Sequence, residues 1–164
     1  MEKKKQITEN EALVRLSAKC AATEYCCADI RRMMQKWDLT DEAKERIIAR
    51  LQKEKYIDER RYACAFVRDK FRYNKWGLVK IGQQLRLKGI DSSIIDEAKE
   101  EVDGDASMDS LRRIIEAKRK SVKGKTEYEI NAKLCRFALS RGFSMNDINK
   151  VLHSDFGDWT LCSE

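Results

Sequence analysis

Not one of the 164 residues is proline. Usage near the average of about 5% would place roughly eight, and glycine, the other turn former, stands at only 7. A β-sandwich or barrel needs many tight turns built on these two residues, so the chain reads as all-α. Hydrophobic residues make up 42% of the sequence, enough to bury a core at this length.

Local signals divide the chain into short helices. Thr8-x-x-Glu11, Thr126-x-x-Glu129 and Ser144-x-x-Asp147 fit the capping box or its Asp variant, in which a hydroxyl accepts a free backbone N–H of the first turn. Gly89 follows Lys88 and Gly142 follows Arg141, a basic last turn and then a residue suited to left-handed backbone. Leu13, Leu16 and Cys20 share one face, as do Leu78, Ile81 and Leu85. So do Ile130, Leu134, Phe137 and Ala138, and, near the end, Ile148, Val151, Leu152 and Phe156. About nine helices of near-average length result.

A repeat links them. Leu85-x-x-Lys88-Gly89-Ile90 followed by Ile94 and Ile95 matches Ala138-x-x-Arg141-Gly142-Phe143 followed by Ile148 and Val151, 53 residues later. Met34-x-x-Trp37-Asp38-Leu39 followed by Ile47 and Ile48 is a weaker copy 51 residues before the first. The expected organisation is a basic, disordered segment at 1–10, three-helix repeats at 11–58, 59–104 and 105–156, and a tail at 157–164. A Gly-containing turn before the last helix of a unit is close to the helix-turn-helix plan, although three-helix packing also occurs in proteins that never meet DNA.

The net charge of +6 conceals alternation. Arg60 to Lys88 holds nine basic residues and one acid, Asp69, whereas Asp91 to Asp103 holds six acids and Lys99. Arg112 to Arg141 holds ten bases and three acids, and Asp147 to Glu164 is acidic again. On a continuous helix Arg61, Arg68, Arg72 and Lys75 would lie within about 60° of one another. Arg112, Arg119 and Lys123 repeat the spacing, with Lys120 beside them. These residues, with Lys80, Arg86 and Lys88, are the candidate phosphate-binding or filament-binding set. A solvated face normally mixes signs, and a row of cations suits a polyphosphate chain. Tyr73 and Trp76 lie nearby as stacking candidates, or as packing anchors beside a helix end.

Enzyme chemistry has little support. No nucleotide-binding glycine loop or nucleophile-elbow motif occurs, and His153 lacks an evident orienting partner. Cys20, Cys64 and Cys135 fall on or beside apolar stripes as small hydrophobes, while Cys26 and Cys27 fall on no clear stripe, which leaves exposure open to them. No C-x-x-C pair exists among the six cysteines, so no metal or other cofactor is expected. The first residues lack the apolar core of a signal peptide and no apolar run reaches membrane-span length, so the expected setting is the cytoplasm with reduced thiols.

Tyr56-Ile-Asp-Glu-Arg-Arg-Tyr-Ala63, Phe66-Val-Arg68, Trp76-Gly77, Ile81 and Leu85-Arg-Leu-Lys-Gly-Ile90 resemble the RecX family of bacterial recombination regulators. Leu134, Arg136-Phe137 and Ser140-Arg-Gly-Phe143 resemble its closing motif, and Ala12-Leu13 and Leu16 its opening, so the likeness spans about residues 11 to 153. It implies three tandem three-helix repeats in an elongated, curved molecule. It also implies binding to the RecA recombinase, especially its filament on single-stranded DNA, with restraint of ATP hydrolysis, strand exchange and co-protease activity. A monomer, with non-specific affinity for single-stranded and also duplex DNA, is the matching expectation. Where the family often has Lys-Gly at the first repeat's turn this chain has Trp37-Asp38, so Asp38 is expected to take the left-handed position; Asp58-Glu59 replaces the usual Asp-Asp. The competing reading is a helix-turn-helix regulator of duplex DNA, against which the acidic third helices argue.

Overall fold

The computed structural model describes the backbone of residues 4–156, and side chains as far as His153. Nine α-helices form among the described residues: α1 (Glu9–Ala22), α2 (Cys27–Met34), α3 (Asp41–Lys53), α4 (Glu59–Arg72), α5 (Leu78–Leu87), α6 (Ser92–Lys99), α7 (Gly104–Arg119), α8 (Glu127–Arg141) and α9 (Met145–Phe156). No strand occurs among them, only one isolated bridge, so the fold is all-α. Two compact units result. The first holds the residues up to Ala65 together with Leu85–Ile95; the second holds Phe66–Gln84 and the chain from Asp96 onward.

In the first unit α1 and α2 pack on α3. Leu16, Ile30, Met34, Ile47 and Leu51 are fully buried there, each contributing about 1.5–3 kcal/mol on leaving water. Thr8 starts α1 as its sequence indicates: its hydroxyl accepts the Glu11 N–H at 3.2 Å while the Glu11 carboxylate accepts the Thr8 N–H at 3.0 Å. Residues 4–8 correct the expectation of a disordered leader. Lys5 forms a parallel bridge with Trp37, donating its N–H to Lys36 O at 3.0 Å, and Lys5 O accepts the Asp38 N–H at 2.9 Å.

That bridge also corrects the turn at Trp37-Asp38. Asp38 is not among the described residues with positive φ. Trp37 is 5% exposed and joins the core, and the neighbouring segment, rather than a left-handed residue, satisfies the chain end that follows α2. A non-glycine does adopt the left-handed turn elsewhere: Lys55, at φ 62°, follows α3, and the Tyr56 N–H reaches back to Leu51 O at 2.9 Å. Cys26 and Cys27, which the sequence leaves open, are buried, because they open α2 against the core. The Cys26 thiol donates to Asp29 Oδ2 at 3.2 Å. Cys20 and Cys135 are buried, and Cys64 is half-buried.

In the second unit α7, α8 and α9 pack pairwise around Leu111, Ile115, Leu134, Ile148 and Leu152. Thr126 and Ser144 cap α8 and α9 by accepting the Glu129 and Asp147 N–H groups at 3.2 and 3.1 Å. Phe156, the last residue of the expected α9 stripe, lies beyond the described side chains, as do Cys162 and the tail from Gly157.

Glycine matters most at one seam of this unit. Gly142 ends α8 at φ 94°, with the Phe143 N–H returning to Ala138 O at 3.3 Å. The turn leading into α5 lies directly against it. The Gly77 N–H donates to Arg141 O at 2.8 Å and the Val79 N–H to Gly142 O at 3.0 Å, so carbonyls at the end of α8 satisfy donors at the start of α5. A Cβ on Gly77 would stand 2.2 Å from Gly142 O, and one on Gly142 would stand 2.1 Å from Lys80 Cβ. Trp76-Gly77 and Arg141-Gly142 therefore meet, backbone against backbone.

Candidate functional site

The basic stretch of the second unit starts on α4. Val67 is buried, while Arg68 and Arg72 are exposed. The helix ends at Arg72, so Lys75 does not extend the row that a continuous helix would give. Lys75 sits at φ 56°, its ammonium donating to Arg72 O at 2.6 Å, and the Trp76 N–H reaches Lys70 O at 3.1 Å. This turn still brings Lys75 to the same groove as Arg68 and Arg72.

That groove, about 580 Å³, runs between α4 and α7. Phe71, Val102, Ile114 and Ala117 give it an apolar floor; Arg68, Arg72, Lys75 and Arg113 stand around it. Glu101, Asp103 and Asp109 close its other end, with Arg68 Nε 3.8 Å from Glu101 Oε2. Lys75, Ile114 and Ala117 also line a second hollow of about 660 Å³, so the surface is continuous. There the Lys118 ammonium lies 5.2 Å and the Arg141 guanidinium 5.3 Å from the Phe137 ring centre, and Tyr73 is 73% exposed. Cations held over an aromatic face gain about 0.5–1 kcal/mol at exposed sites and keep their N–H groups toward solvent.

Several candidates have partners within the protein. Arg61, in the first unit, donates to Glu24 and to the carbonyls of Lys55 at 3.1 Å and Tyr56 at 3.5 Å. Lys88 pairs with Asp29 at 2.7 Å and lies 5.7 Å from the Tyr62 ring centre. Lys80 sits 4.4 Å over Trp76 and donates to Ser140 O at 3.3 Å; with Lys70 5.2 Å from the same ring, Trp76 is a packing anchor. Arg119 ties α7 to α8, donating to Asn131 Oδ1 at 3.0 Å and Glu127 Oε2 at 2.6 Å, and Asn131 is only 2% exposed. Arg112 faces Asp109 at 3.3 Å. Arg86, Lys120 and Lys123 are exposed and line neither hollow. His153 is exposed on α9.

Of the eleven sequence candidates the structure thus gathers Arg68, Arg72 and Lys75, and adds Arg113, Lys118 and Arg141. A signal for this surface was present in α7, where Ala106, Ser110, Arg113 and Ala117 form a 4-3-4 row. Three of the four are small, which leaves room for a groove, and the row lies one position round the helix from Arg112 and Arg119.

A family model described as the second three-helix domain of RecX matches residues 58–98, and one for the third matches residues 105–152. Together they take in more than half of the chain. The chain belongs to the RecX family. Regulatory protein RecX of Clostridium tetani is 38% identical over 117 residues, which are 68% of this chain and 53% of that protein. The corresponding protein of Clostridium acetobutylicum is 32% identical over 134 residues, 79% of this chain and 62% of the other. This RecX-family chain therefore spans about half to three-fifths of the length of those relatives. Among solved structures, a regulatory protein RecX superposes with a TM-score of 0.81 at 22% identity, covering 87% of this chain and 72% of that one. RecX from Lactobacillus salivarius gives 0.76 at 19%, covering 89% and 95%. These likenesses establish the RecX fold for the chain. No helix among the described residues is long and apolar enough to cross a membrane.

Proposed function

We propose that this chain is a non-enzymatic, monomeric cytoplasmic regulator that binds the RecA recombinase and its filament on single-stranded DNA. Its effect is to restrain ATP hydrolysis, strand exchange and co-protease activity, and so to modulate DNA repair and recombination. Membership of a family of regulatory proteins supports the class of function. The observation that carries the nucleoprotein partner is the surface of the second unit, where Arg72, Lys75, Arg113, Lys118 and Arg141 stand around an exposed Tyr73. Cations on long side chains neutralise phosphates with little demand on geometry, and an exposed ring accepts an unpaired base. Under this reading α1–α3 form the first of three three-helix domains. No comparable observation favours reading of duplex sequence, since α6 exposes Asp96 and Glu97, and carboxylates entering a groove would meet phosphates.

The test is RecA ATP hydrolysis on single-stranded DNA with added protein. Arg72 and Arg113 are exposed, so the R72E/R113E variant keeps the core intact. It should need about tenfold more protein for half-inhibition, a loss of about 1.4 kcal/mol. Unchanged inhibition by the folded variant removes this surface from the mechanism. No inhibition by the parent overturns the function, and a sequence-specific footprint on duplex DNA without RecA establishes the competing reading.

A further inference from the structure

In the first unit many cations have a carboxylate beside them. Arg31 pairs with Glu45 at 3.0 Å, Lys44 with Asp41 at 2.8 Å, Arg46 with Glu9 at 2.8 Å, Arg50 with Glu54 at 2.9 Å and Lys88 with Asp29 at 2.7 Å. One groove, of about 920 Å³, breaks the pattern. Its charged lining is Lys4, Lys5, Arg15, Lys19 and Lys36, with no carboxylate.

Three separate segments deliver those five charges. Arg15 and Lys19 are one turn apart on α1, Lys36 follows α2, and Lys4 and Lys5 precede α1. The bridge between Lys5 and Trp37 holds the leading segment in place, and the buried Trp37 lies 6.0 Å from the Lys36 ammonium. Trp37 is the residue at which this chain departs from the usual Lys-Gly turn, so the departure builds one wall of the groove.

The nearby acids lie outside the lining and make their hydrogen bonds elsewhere, although the charges of Lys5 and Arg15 reach Glu11 and that of Lys4 reaches Asp41. Glu11 accepts from the Thr8 N–H and hydroxyl at 3.0 and 3.1 Å, and Asp41 accepts from Lys44. Like charges one turn apart on a helix oppose folding by a few tenths of a kcal/mol, and a face serving solubility alone mixes its signs. Five converging cations, with Glu11 near Lys5 and Arg15 and Asp41 near Lys4 but no carboxylate in the lining itself, leave an excess of positive charge that fits an anion carrying several charges. The floor offers no exposed ring on which a base would stack: Trp37 is buried and the other lining residues are Ala18 and Gln35. Recognition there is by charge alone.

We infer that Lys4, Lys5, Arg15, Lys19 and Lys36 form a second nucleic-acid contact, one that grips the phosphodiester backbone without regard to base or strandedness. This rests on the proposed nucleic-acid-binding function and adds to it a site in the first unit. The second unit, with its exposed Tyr73, discriminates for single strands; the first unit does not.

The experiment measures binding of the full chain, without RecA, to labelled oligo-dT and to a duplex of equal length by fluorescence anisotropy across a salt series. In K5Q/R15Q/K19Q three exposed charges are removed while the Lys5 backbone bonds remain. The slope of log affinity against log salt should fall by about 2 on the single strand and about 2.7 on the duplex, from about 0.7 and 0.9 per phosphate. Between about 50 and 200 mM salt the parent should then lose about twentyfold more single-strand affinity than the variant. K5R/R15K/K19R should retain the parental slope, and R72Q/R113Q/K118Q should lose chiefly single-strand affinity. An unchanged slope for a K5Q/R15Q/K19Q protein whose thermal unfolding matches the parent overturns the inference, and the proposed function survives if R72Q/R113Q/K118Q is still impaired. A parent that binds neither oligonucleotide overturns the inference, while the proposed function stands or falls by inhibition of RecA ATP hydrolysis. Loss of RecA inhibition with unchanged DNA binding would assign the surface to an acidic protein partner and overturn the inference too.

Discussion

Replacing Gly77 by Ala places a methyl group 2.2 Å from Gly142 O and 2.5 Å from Phe143 N, where nothing but backbone can give way. The turn must withdraw from α8, and the Gly77 and Val79 N–H groups then lose acceptors at 2.8 and 3.0 Å. Gly77 is buried, and a buried donor left unsatisfied costs about 1–3 kcal/mol; Val79 is exposed, so water replaces part of its bond, and with the backbone displacement about 3 kcal/mol is expected. For a chain of this size such a loss lowers the melting temperature by about 10 °C. Two other glycines calibrate the result. Gly89 has positive φ but open space around its missing Cβ, so Gly89→Ala should cost about 1–2 kcal/mol from the left-handed backbone alone. Gly104 opens α7 with no atom within 4 Å of its Cβ site and no positive φ, so Gly104→Ala should be neutral within about 0.5 kcal/mol. Thermal unfolding by circular dichroism gives the order, and faster amide exchange at Val79 locates the damage. If Gly77→Ala melts with Gly104→Ala, or Val79 stays protected, the seam is not what holds α5 to α8.

Two further outcomes concern titratable groups. Burial pushes the Asp29 carboxyl up, but the Lys88 ammonium and the Cys26 contacts pull it further down, leaving it below its ordinary 3.8. A carboxylate depressed in the folded state contributes stability above its unfolded value and loses it as pH falls through the folded value. Lys88→Met should therefore be less stable at neutral pH and lose less on acidification below about pH 4, measured as urea midpoints across pH; parallel pH curves for parent and variant would refute the pairing. Burial, and then the neighbouring Glu59, push the Cys27 thiol up to about 12. Since only the thiolate reacts, iodoacetamide at pH 8 should modify half-buried Cys64 well before Cys27 in the native protein, as read by peptide mass mapping. Equal rates would contradict the burial.

Caps and stops were legible because they are local. Thr8, Thr126 and Ser144 bond groups three residues away, and Gly89 and Gly142 take the backbone that only glycine adopts cheaply. The same rule failed where a lysine took glycine's place: nothing in the residue type marks Lys55 or Lys75 as left-handed, so α4 ran on past Arg72 in the linear reading. Charge counting failed for a different reason. Arg61 and Glu24 are 37 residues apart, and Lys88 and Asp29 are 59 apart. Runs of like charge say nothing about acids that tertiary folding brings back to them. The basic groove on α1 is not legible in the sequence because its five cations are scattered over three segments, and Trp37-Asp38 marks only a turn there.

The seam at Gly77 also has an electrostatic meaning. The start of a helix is ordinarily where a protein offers an anion fixed backbone donors and the positive end of a dipole. At α5 the Gly77 and Val79 donors are taken by the carbonyls of Arg141 and Gly142, at the negative end of α8, so opposite helix poles face each other. Under the proposed function, a phosphate arriving at this seam would find two of those donors already engaged. It would meet instead ammonium and guanidinium groups on long, pivoting stems, suited to a strand whose phosphates keep no set spacing.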